Sequence, residues 1–458
     1  MRGLFVIIIC GSLFARLAGA LPAEELRQLW DIPTIEVRTE TLKSSLTRGI
    51  RVEEIYYYSR PYKREPVRVF GYFCYPQKRA GKLPAILLSH GGGGHASRST
   101  SINWAKKGFA VLAIDLPGKG ENRARSRSTG PDMLVATLLR TEPDPSYNYL
   151  VHAVAAARNG ITYLTQRKEV DRQRIGMIGL SWGGVLTLLT NGQDDRLKAA
   201  VNVFGAGYIP EGCTWQEIFT AMPETAKGRW DSYIDPQNFL ATQHAPIFFV
   251  TGTNDHCYYL PIFQKSFIEV AAGKDLLLIP NLRHKFLAAA ERPAFTWLEQ
   301  QLKTGGTFPR ITELPVFRKN ANKIIFPFTA AVHSQVKSAR LYYTAGGPQG
   351  FTGKKWQAVQ PYQEADKYFF ALPFSILKPE ILYYVTFTDD HGGETSTLVR
   401  SLFSVKLDNG EKTFALTAPI QRIYRHQMPI TLAGTSEGKP VGYIFSKADN
   451  AYRTYALP

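Results

Sequence analysis

Gly179-Leu-Ser181-Trp-Gly183 stands between two apolar runs, Ile175-Gly-Met-Ile-Gly179 before it and Val185-Leu-Thr-Leu-Leu189 after it. A Gly-x-Ser-x-Gly pentapeptide joining a strand to a helix makes a sharp turn that lifts the serine hydroxyl above the carboxyl edge of a sheet. Side chains two residues to either side would collide in so tight a turn, so glycine is required at both places. A serine hydroxyl is a weak nucleophile unless a base takes its proton and an acid orients that base. Two downstream residues have the right types. Asp255 follows the apolar run Pro246–Gly252 and lies 74 residues past Ser181. His284 follows the run Asp275–Pro280, 29 residues past Asp255, which leaves chain for one helix and one strand. With both runs as parallel strands of the serine's own sheet, all three side chains fall on one edge. His256 is next to the acid and is expected to point away from it; His244 precedes its strand and so belongs to the opposite edge.

Acyl transfer also needs two N–H donors aimed at the oxyanion. Trp182, directly after the serine, is one expected donor. The other is expected from His90-Gly-Gly-Gly-Gly94-His95, the glycine run after Pro84–Ser89, at Gly92 or Gly93. Such a run also cradles phosphates when Lys-Ser/Thr follows it, but Ala96-Ser97 stands there. Trp215, Trp230 and Tyr258 lie in segments that follow strands at the same edge. They are candidates for stacking on a sugar ring or an aryl group, set against ordinary packing. The loop Lys119–Arg127 carries four basic residues and one acidic. Its Arg123 and Arg125 are candidates for attracting an anionic polysaccharide, set against a merely solvated loop. Nothing in the chain implies a metal or a cofactor.

The elements that must position these groups alternate from Arg51 to about Gly305. Extended runs at Arg51–Tyr58 and Val67–Tyr75 read as an antiparallel pair. Those at Ala85–Ser89, Ala110–Asp115, Arg174–Gly179, Ala199–Phe204, Pro246–Gly252 and Asp275–Pro280 are short and continuously apolar, as expected of parallel strands buried on both faces. A helical period runs through Tyr147–Thr165. After Gly305-Gly306 and Pro309 that period stops. Strand-like runs follow at Lys323–Thr329, Ala339–Thr344, Trp356–Gln360, Tyr368–Leu372, Ile381–Thr388 and Ser396–Ser401, with turn clusters between them, which predicts a small β-sandwich of immunoglobulin-like size. The division expected is 21–305 for an α/β unit, 309–405 for the sandwich, and 406–458 for a β-rich tail that either extends the sandwich or stands apart.

The 458 residues are 44% apolar and 20% charged, an ordinary globular composition that excludes disorder and coiled coil. The net charge of +17 is spread over both halves, +7 from Pro309 onward and +8 between residues 21 and 308, which argues against a nucleic-acid module with its single basic stripe. Arg2, the apolar stretch Leu4–Phe14 and the Ala18-Gly-Ala20 site describe a secretory signal peptide cleaved before Leu21, and hence an exported protein that is periplasmic or extracellular. No later segment is apolar enough to span a bilayer, so stable membrane insertion is not expected. Export would leave Cys74, Cys213 and Cys257, an odd number, with at most one bridge among them; Cys213 and Cys257 are the candidate pair, and free buried thiols the alternative. Oligomeric state is not legible.

With these residues in place the chain resembles the α/β-hydrolase superfamily, in the branch of exported acetyl xylan esterase-like and dienelactone hydrolase-like proteins. The marks are His90-Gly-Gly-Gly-Gly94, Trp104-Ala-Lys-Lys-Gly-Phe-Ala110, Asp115-Leu-Pro-Gly118, Gly179-Leu-Ser-Trp-Gly-Gly184, Asp194-Asp-Arg196 and Gly252-Thr-Asn-Asp255, spread over Val67–Ser401. The resemblance implies a mostly parallel sheet with helices on both faces, followed by an all-β sandwich domain. It implies Ser181, Asp255 and His284 as the triad of a serine esterase, with an acylated carbohydrate, first of all an acetyl ester, as substrate. Two departures stand out. Carbohydrate deacetylases of this branch carry Arg-Gly-Gln where this chain has Leu116-Pro-Gly-Lys119, and dienelactone hydrolases use cysteine where this chain has Ser181. The rival readings are a prolyl-oligopeptidase-like peptidase, which normally carries a β-propeller before the hydrolase, and a polysaccharide-binding surface protein with a relict hydrolase core.

Overall fold

The computed structural model describes residues 26, 28–32, 37–119, 126–313, 318–320, 323–332, 335–347, 350–376 and 380–406, together with four strands beyond them. The proposed signal segment lies outside the described residues. A nine-stranded sheet dominates the first part: β1 (Thr39–Thr47), β2 (Ile50–Tyr62), β3 (Glu65–Pro76), β4 (Leu83–Ser89), β5 (Ala110–Asp115), β6 (Val170–Leu180), β7 (Ala199–Val203), β8 (Ile247–Gly252) and β9 (Lys274–Ile279). Their spatial order is β1-β2-β3-β5-β4-β6-β7-β8-β9. The pairs β1–β2, β2–β3 and β3–β5 are antiparallel, whereas β5, β4, β6, β7, β8 and β9 run parallel.

The parallel strands are apolar throughout because each of their faces is covered. Leu87, Leu112, Met177 and Phe249 point into one core with the helices α2 (Tyr149–Gln166) and α3 (Trp182–Asn191). Their chain neighbours Ile86, Val111, Ile178 and Phe248 point into the other, beneath α1 (Arg98–Ala105) and α5 (Ala288–Glu299). Between β8 and β9 runs α4 (Leu260–Glu269), with Leu260, Ile262 and Phe263 in the first core. The expected hairpin is present. Its outer partner β1 is absent from the sequence reading, because Thr-Glu-Thr-Leu-Lys-Ser-Ser-Leu-Thr is largely exposed and has no buried face to impose a pattern.

Beyond residue 309 two antiparallel sheets pack face to face. One is ordered β10-β12-β16-β15 with β11 beside β12; the other is β14-β13-β17-β19-β20 with β18 beside β17. The strands are β10 (Arg310–Glu313), β11 (Arg318–Asn320), β12 (Lys323–Ala331), β13 (Val336–Ala345), β14 (Gln357–Val359), β15 (Tyr362–Glu364), β16 (Lys367–Pro373), β17 (Glu380–Asp389), β18 (Glu394–Ser396), β19 (Arg400–Lys406) and β20 (Lys412–Leu416). Ile324, Phe326 and Phe328 of β12 meet Leu341 of β13 and Ile381, Tyr383 and Val385 of β17 in the sandwich core. The tail does both things open to it: β20 extends the sandwich, and β21 (Leu432–Ser436), β22 (Lys439–Ser446) and β23 (Ala451–Ala456) form a separate three-stranded sheet.

One expected strand is wrong. Ser396–Ser401 is not continuous: β18 ends at Ser396, and Val399 turns away to bury itself in the first core of the α/β unit. Its N–H donates to the Gln264 side chain at 2.5 Å. The same core takes up Phe351, Trp356, Leu382 and Tyr384, so β17 is buried on both faces, one inside the sandwich and one against the α/β unit. Ser396 Oγ accepts the N–H of Leu278 at 3.0 Å, which engages β9, the outermost parallel strand.

Candidate active site

Ser181 closes the turn between β6 and α3 with φ +58° and ψ −119°, a conformation that side-chain-bearing residues rarely adopt and that costs about 1–3 kcal/mol. The flanking glycines make it possible. A Cβ on Gly179 would lie 1.8 Å from the Gly183 carbonyl oxygen, and one on Gly183 would lie 2.5 Å from that of Ser89. The Ser181 N–H donates to the Val203 carbonyl at 2.8 Å, while the Val185 N–H donates to the Ser181 carbonyl at 3.0 Å and starts the helix. The hydroxyl is thus fixed at the carboxyl edge by bonds to β7 and α3.

The sheet brings the other two groups to it. His284 Nε2 lies 2.8 Å from Ser181 Oγ. On the other side of the ring, Nδ1 lies 3.0 and 2.9 Å from the two carboxylate oxygens of Asp255. With Nδ1 protonated against the carboxylate, Nε2 is left to accept the serine proton. Asp255 is fully buried; its Oδ1 accepts the N–H groups of Cys257 at 2.7 Å and Tyr258 at 3.1 Å. Burial pulls the His284 imidazole towards its neutral form, but hydrogen bonds to Asp255 and Cys257 and the charge of Asp255 outweigh it and push the pKa up to about 9. The Phe204 ring, 4.8 Å away, packs against the imidazole. Gly252 lets the two loops approach, since a Cβ there would lie 2.1 Å from the Leu282 carbonyl oxygen.

The glycine run lies against the serine. Gly91 is the nearest, where a Cβ would be 2.9 Å from that of Ser181, and a Cβ on Gly92 would lie 3.3 Å from the Trp182 indole. Gly93, at φ +70°, belongs to the turn closed by the Gly94 N–H on the Gly91 carbonyl at 3.1 Å. His90 anchors this loop: its Nε2 accepts the Leu116 N–H at 3.0 Å and lies 3.6 Å from Asp115. Sequence reasoning missed that role because nothing in a His-Gly-Gly motif marks which strand end the ring will reach.

The aromatic candidates divide. Trp230 and Tyr258 are fully buried, so neither offers a face to a ligand. Trp230 Nε1 donates to Asp235 at 3.2 Å, and Tyr258 packs edge-on to Trp182 with centroids 5.8 Å apart. For both, packing in the first core holds and ligand stacking does not. Trp215 is half-buried and lies 4.9 Å from Trp182, the residue next to the serine. Arg123 and Arg125 lie outside the described residues. Arg127 of the same loop is committed elsewhere, paired with Glu54 at 2.7 Å and set over the Phe70 ring. His256 Nδ1 is buried without a partner and its ring lies edge-on, 5.9 Å from that of His284. The three described cysteines are free; Cys213 pairs with Tyr258 across a β-bridge, and Cys213 and Cys257 both pack at the first core without bridging. Among the described residues one metal-competent cluster occurs, Asp255, Cys257 and His284, with donor atoms within 4.8 Å of one another. A cation there would compete for the very atoms that join His284 to Asp255. A mainly apolar cavity of about 170 Å³, lined in part by Leu88, Ala96, Trp104, Leu180 and Phe286, lies between the glycine loop and the segment after His284.

An antiparallel leading edge, a parallel sheet whose strand order reverses at β4 and β5, and a serine elbow meeting histidine and aspartate at its carboxyl edge define an α/β hydrolase. The chain belongs to the acetyl xylan esterase (AXE1) family, whose profile matches residues 22–301. The acetyl esterase Axe7A of Xylanibacter ruminicola is 27% identical over 253 residues, which cover 51% of this chain and 56% of that protein. The chain therefore spans little more than half the length of that relative. Acetyl xylan esterases from Paenibacillus sp. R4 and Thermoanaerobacterium sp. JW/SL YS485 superpose with a TM-score of 0.52 each at 20% and 19% identity, over 61% of this chain and 93% of theirs. They share its fold. No described helix is long and apolar enough to cross a membrane.

Proposed function

We propose that this protein is an exported serine esterase that removes acyl groups, acetyl first of all, from carbohydrate. The observation that carries the reading is the unbroken chain Ser181 Oγ–His284 Nε2 at 2.8 Å and His284 Nδ1–Asp255 at 2.9 Å on a strained elbow. Ser181 Oγ attacks the ester carbonyl as His284 Nε2 takes its proton, and Asp255 steadies the imidazolium that forms. The tetrahedral oxyanion is met by the N–H of Trp182 and by one from the Gly91–Gly94 loop, at Gly92 or Gly93. Collapse expels the sugar hydroxyl, which receives the proton from His284, and leaves an acyl-serine. Water, deprotonated by the same imidazole, then releases the carboxylic acid and restores the hydroxyl. Family membership supports an acetylated carbohydrate as substrate, and the half-buried Trp215 beside Trp182 suits a sugar face.

Replacing Ser181 by Ala removes the covalent step, so kcat on acetylated xylan and on a small aryl acetate should fall by at least about three decades with the fold intact. A feruloyl ester, a methyl glucuronoyl ester and a proline peptide, assayed alongside, separate the acyl class from its rivals. Hydrolysis of the peptide alone, or a Ser181→Ala variant as active as wild type, would overturn the reading.

A further inference from the structure

The loops that carry Asp255 and His284 are tied to the sandwich as well as to each other. Asn281 donates from Nδ2 to the Trp356 carbonyl at 3.0 Å and accepts the Trp356 N–H on Oδ1 at 2.8 Å, so its amide pairs with that residue as a neighbouring strand would. It does so from φ +59°, a left-handed conformation that reverses the chain straight after β9 and that asparagine tolerates better than most residues. Asn254 donates to the Lys354 carbonyl at 2.6 Å and to that of Thr352 at 3.3 Å. Between the two asparagines sits Thr253, fully buried, whose Oγ1 accepts the Asn281 N–H at 2.8 Å and donates to Asn254 Oδ1 at 2.7 Å. The Asn254 N–H closes the circuit on the Leu282 carbonyl at 3.0 Å.

We propose that Asn254 and Asn281 are positioning residues through which the Thr352–Trp356 segment of the sandwich holds the acid and base loops in register. The inference rests on the reading of Asp255 and His284 as acid and base. Asn254 immediately precedes Asp255, and Asn281 precedes His284 by three residues. A shift of either loop by about 1 Å would open the Nδ1–carboxylate bonds, and misplacements of that size can cost about a hundredfold in rate. The sandwich is then a working part of the hydrolase, and its attachment point is the main chain of Thr352, Lys354 and Trp356.

Asn281→Gly keeps the left-handed backbone and deletes both amide bonds, Asn281→Asp keeps the acceptor alone, and Asn254→Ala tests the other loop. Kinetics on an aryl acetate, normalised to sites titrated with a fluorophosphonate, should show kcat down roughly tenfold or more in Asn281→Gly, with KM within about twofold of wild type and Asn281→Asp in between. The far-downfield proton resonance of the His284 Nδ1–H, assigned by its loss in His284→Ala, should broaden or shift in Asn281→Gly and in Asn254→Ala. A lower melting temperature with unchanged kcat per titrated site and an unchanged resonance in both variants would reduce the contact to packing and overturn the proposal. Should wild type neither hydrolyse esters nor take up the probe, the esterase reading falls, and the resonance alone decides whether the asparagines set the Asp255–His284 bond.

Discussion

His284 is partly buried beside a fully buried carboxylate, and the two surroundings act on its charge in opposite senses. The balance lies on the charged side, with a pKa pushed up to about 9 against an ordinary value of 6.5. Two consequences run in opposite directions with pH. A general base must be neutral, so kcat/KM for an aryl acetate should climb between pH 7 and pH 9, and Asp255→Asn should move that limb to lower pH. Stability behaves the other way. The folded state binds this proton more tightly than the unfolded chain, so the contribution is complete below about pH 6.5 and is lost as pH rises towards 9. The melting temperature of wild type should therefore fall more over that interval than that of His284→Ala. An activity profile already flat at pH 7, with parallel melting curves, would contradict the charge balance. The types and spacings of these three residues were legible in the sequence because each follows an apolar run that ends at one sheet edge. For Trp230 and Tyr258 the sequence left stacking and packing both open for the complementary reason: order along the chain does not say whether a ring turns outward or into the core.

Elements carry the second level of constraint, and glycines at their ends are the sensitive points. Gly252 terminates β8 where the Leu282 carbonyl passes, and a methyl group there would lie 2.1 Å from that oxygen. Gly252→Ala should push the His284 loop away from β8. We expect a loss of about 1–3 kcal/mol, the ordinary cost of overpacking, with a fall in kcat that exceeds any change in KM. Wild-type kcat and melting temperature in that variant would show that the two loops can part without consequence. The six parallel strands could be read directly, since burial on both faces forces unbroken apolar runs such as Ala110–Asp115. β1 could not, because it is polar and exposed, and Ser396–Ser401 failed because Val399 satisfies a different core from its neighbours.

At the scale of the whole molecule, the shared core predicts how the protein unfolds. Trp356, Leu382, Tyr384 and Val399 come from the sandwich side yet belong to the first core of the α/β unit. Exposing them would cost roughly 1.5–3 kcal/mol per large apolar side chain, so neither unit should outlast the other. Calorimetry should give one cooperative transition, and Trp356→Ala should lower it as a whole. Two resolved transitions, with only the smaller one moved by the substitution, would mean that the units are merely adjacent. The sequence announced a β-sandwich through its turn spacing, but contacts between residues 75 to 100 positions apart, such as Asn281 with Trp356 and Asn254 with Lys354, leave no local pattern to read. The central claim is chemical: Ser181 becomes acylated. Intact-protein mass spectrometry during turnover of a slow aryl ester, followed by peptide mapping, tests it directly. The account predicts one acyl group per chain, on the peptide that contains Ser181, absent from Ser181→Ala and strongly reduced in His284→Ala. An acyl group on any other residue, or turnover with no adduct and full activity in Ser181→Ala, would contradict it.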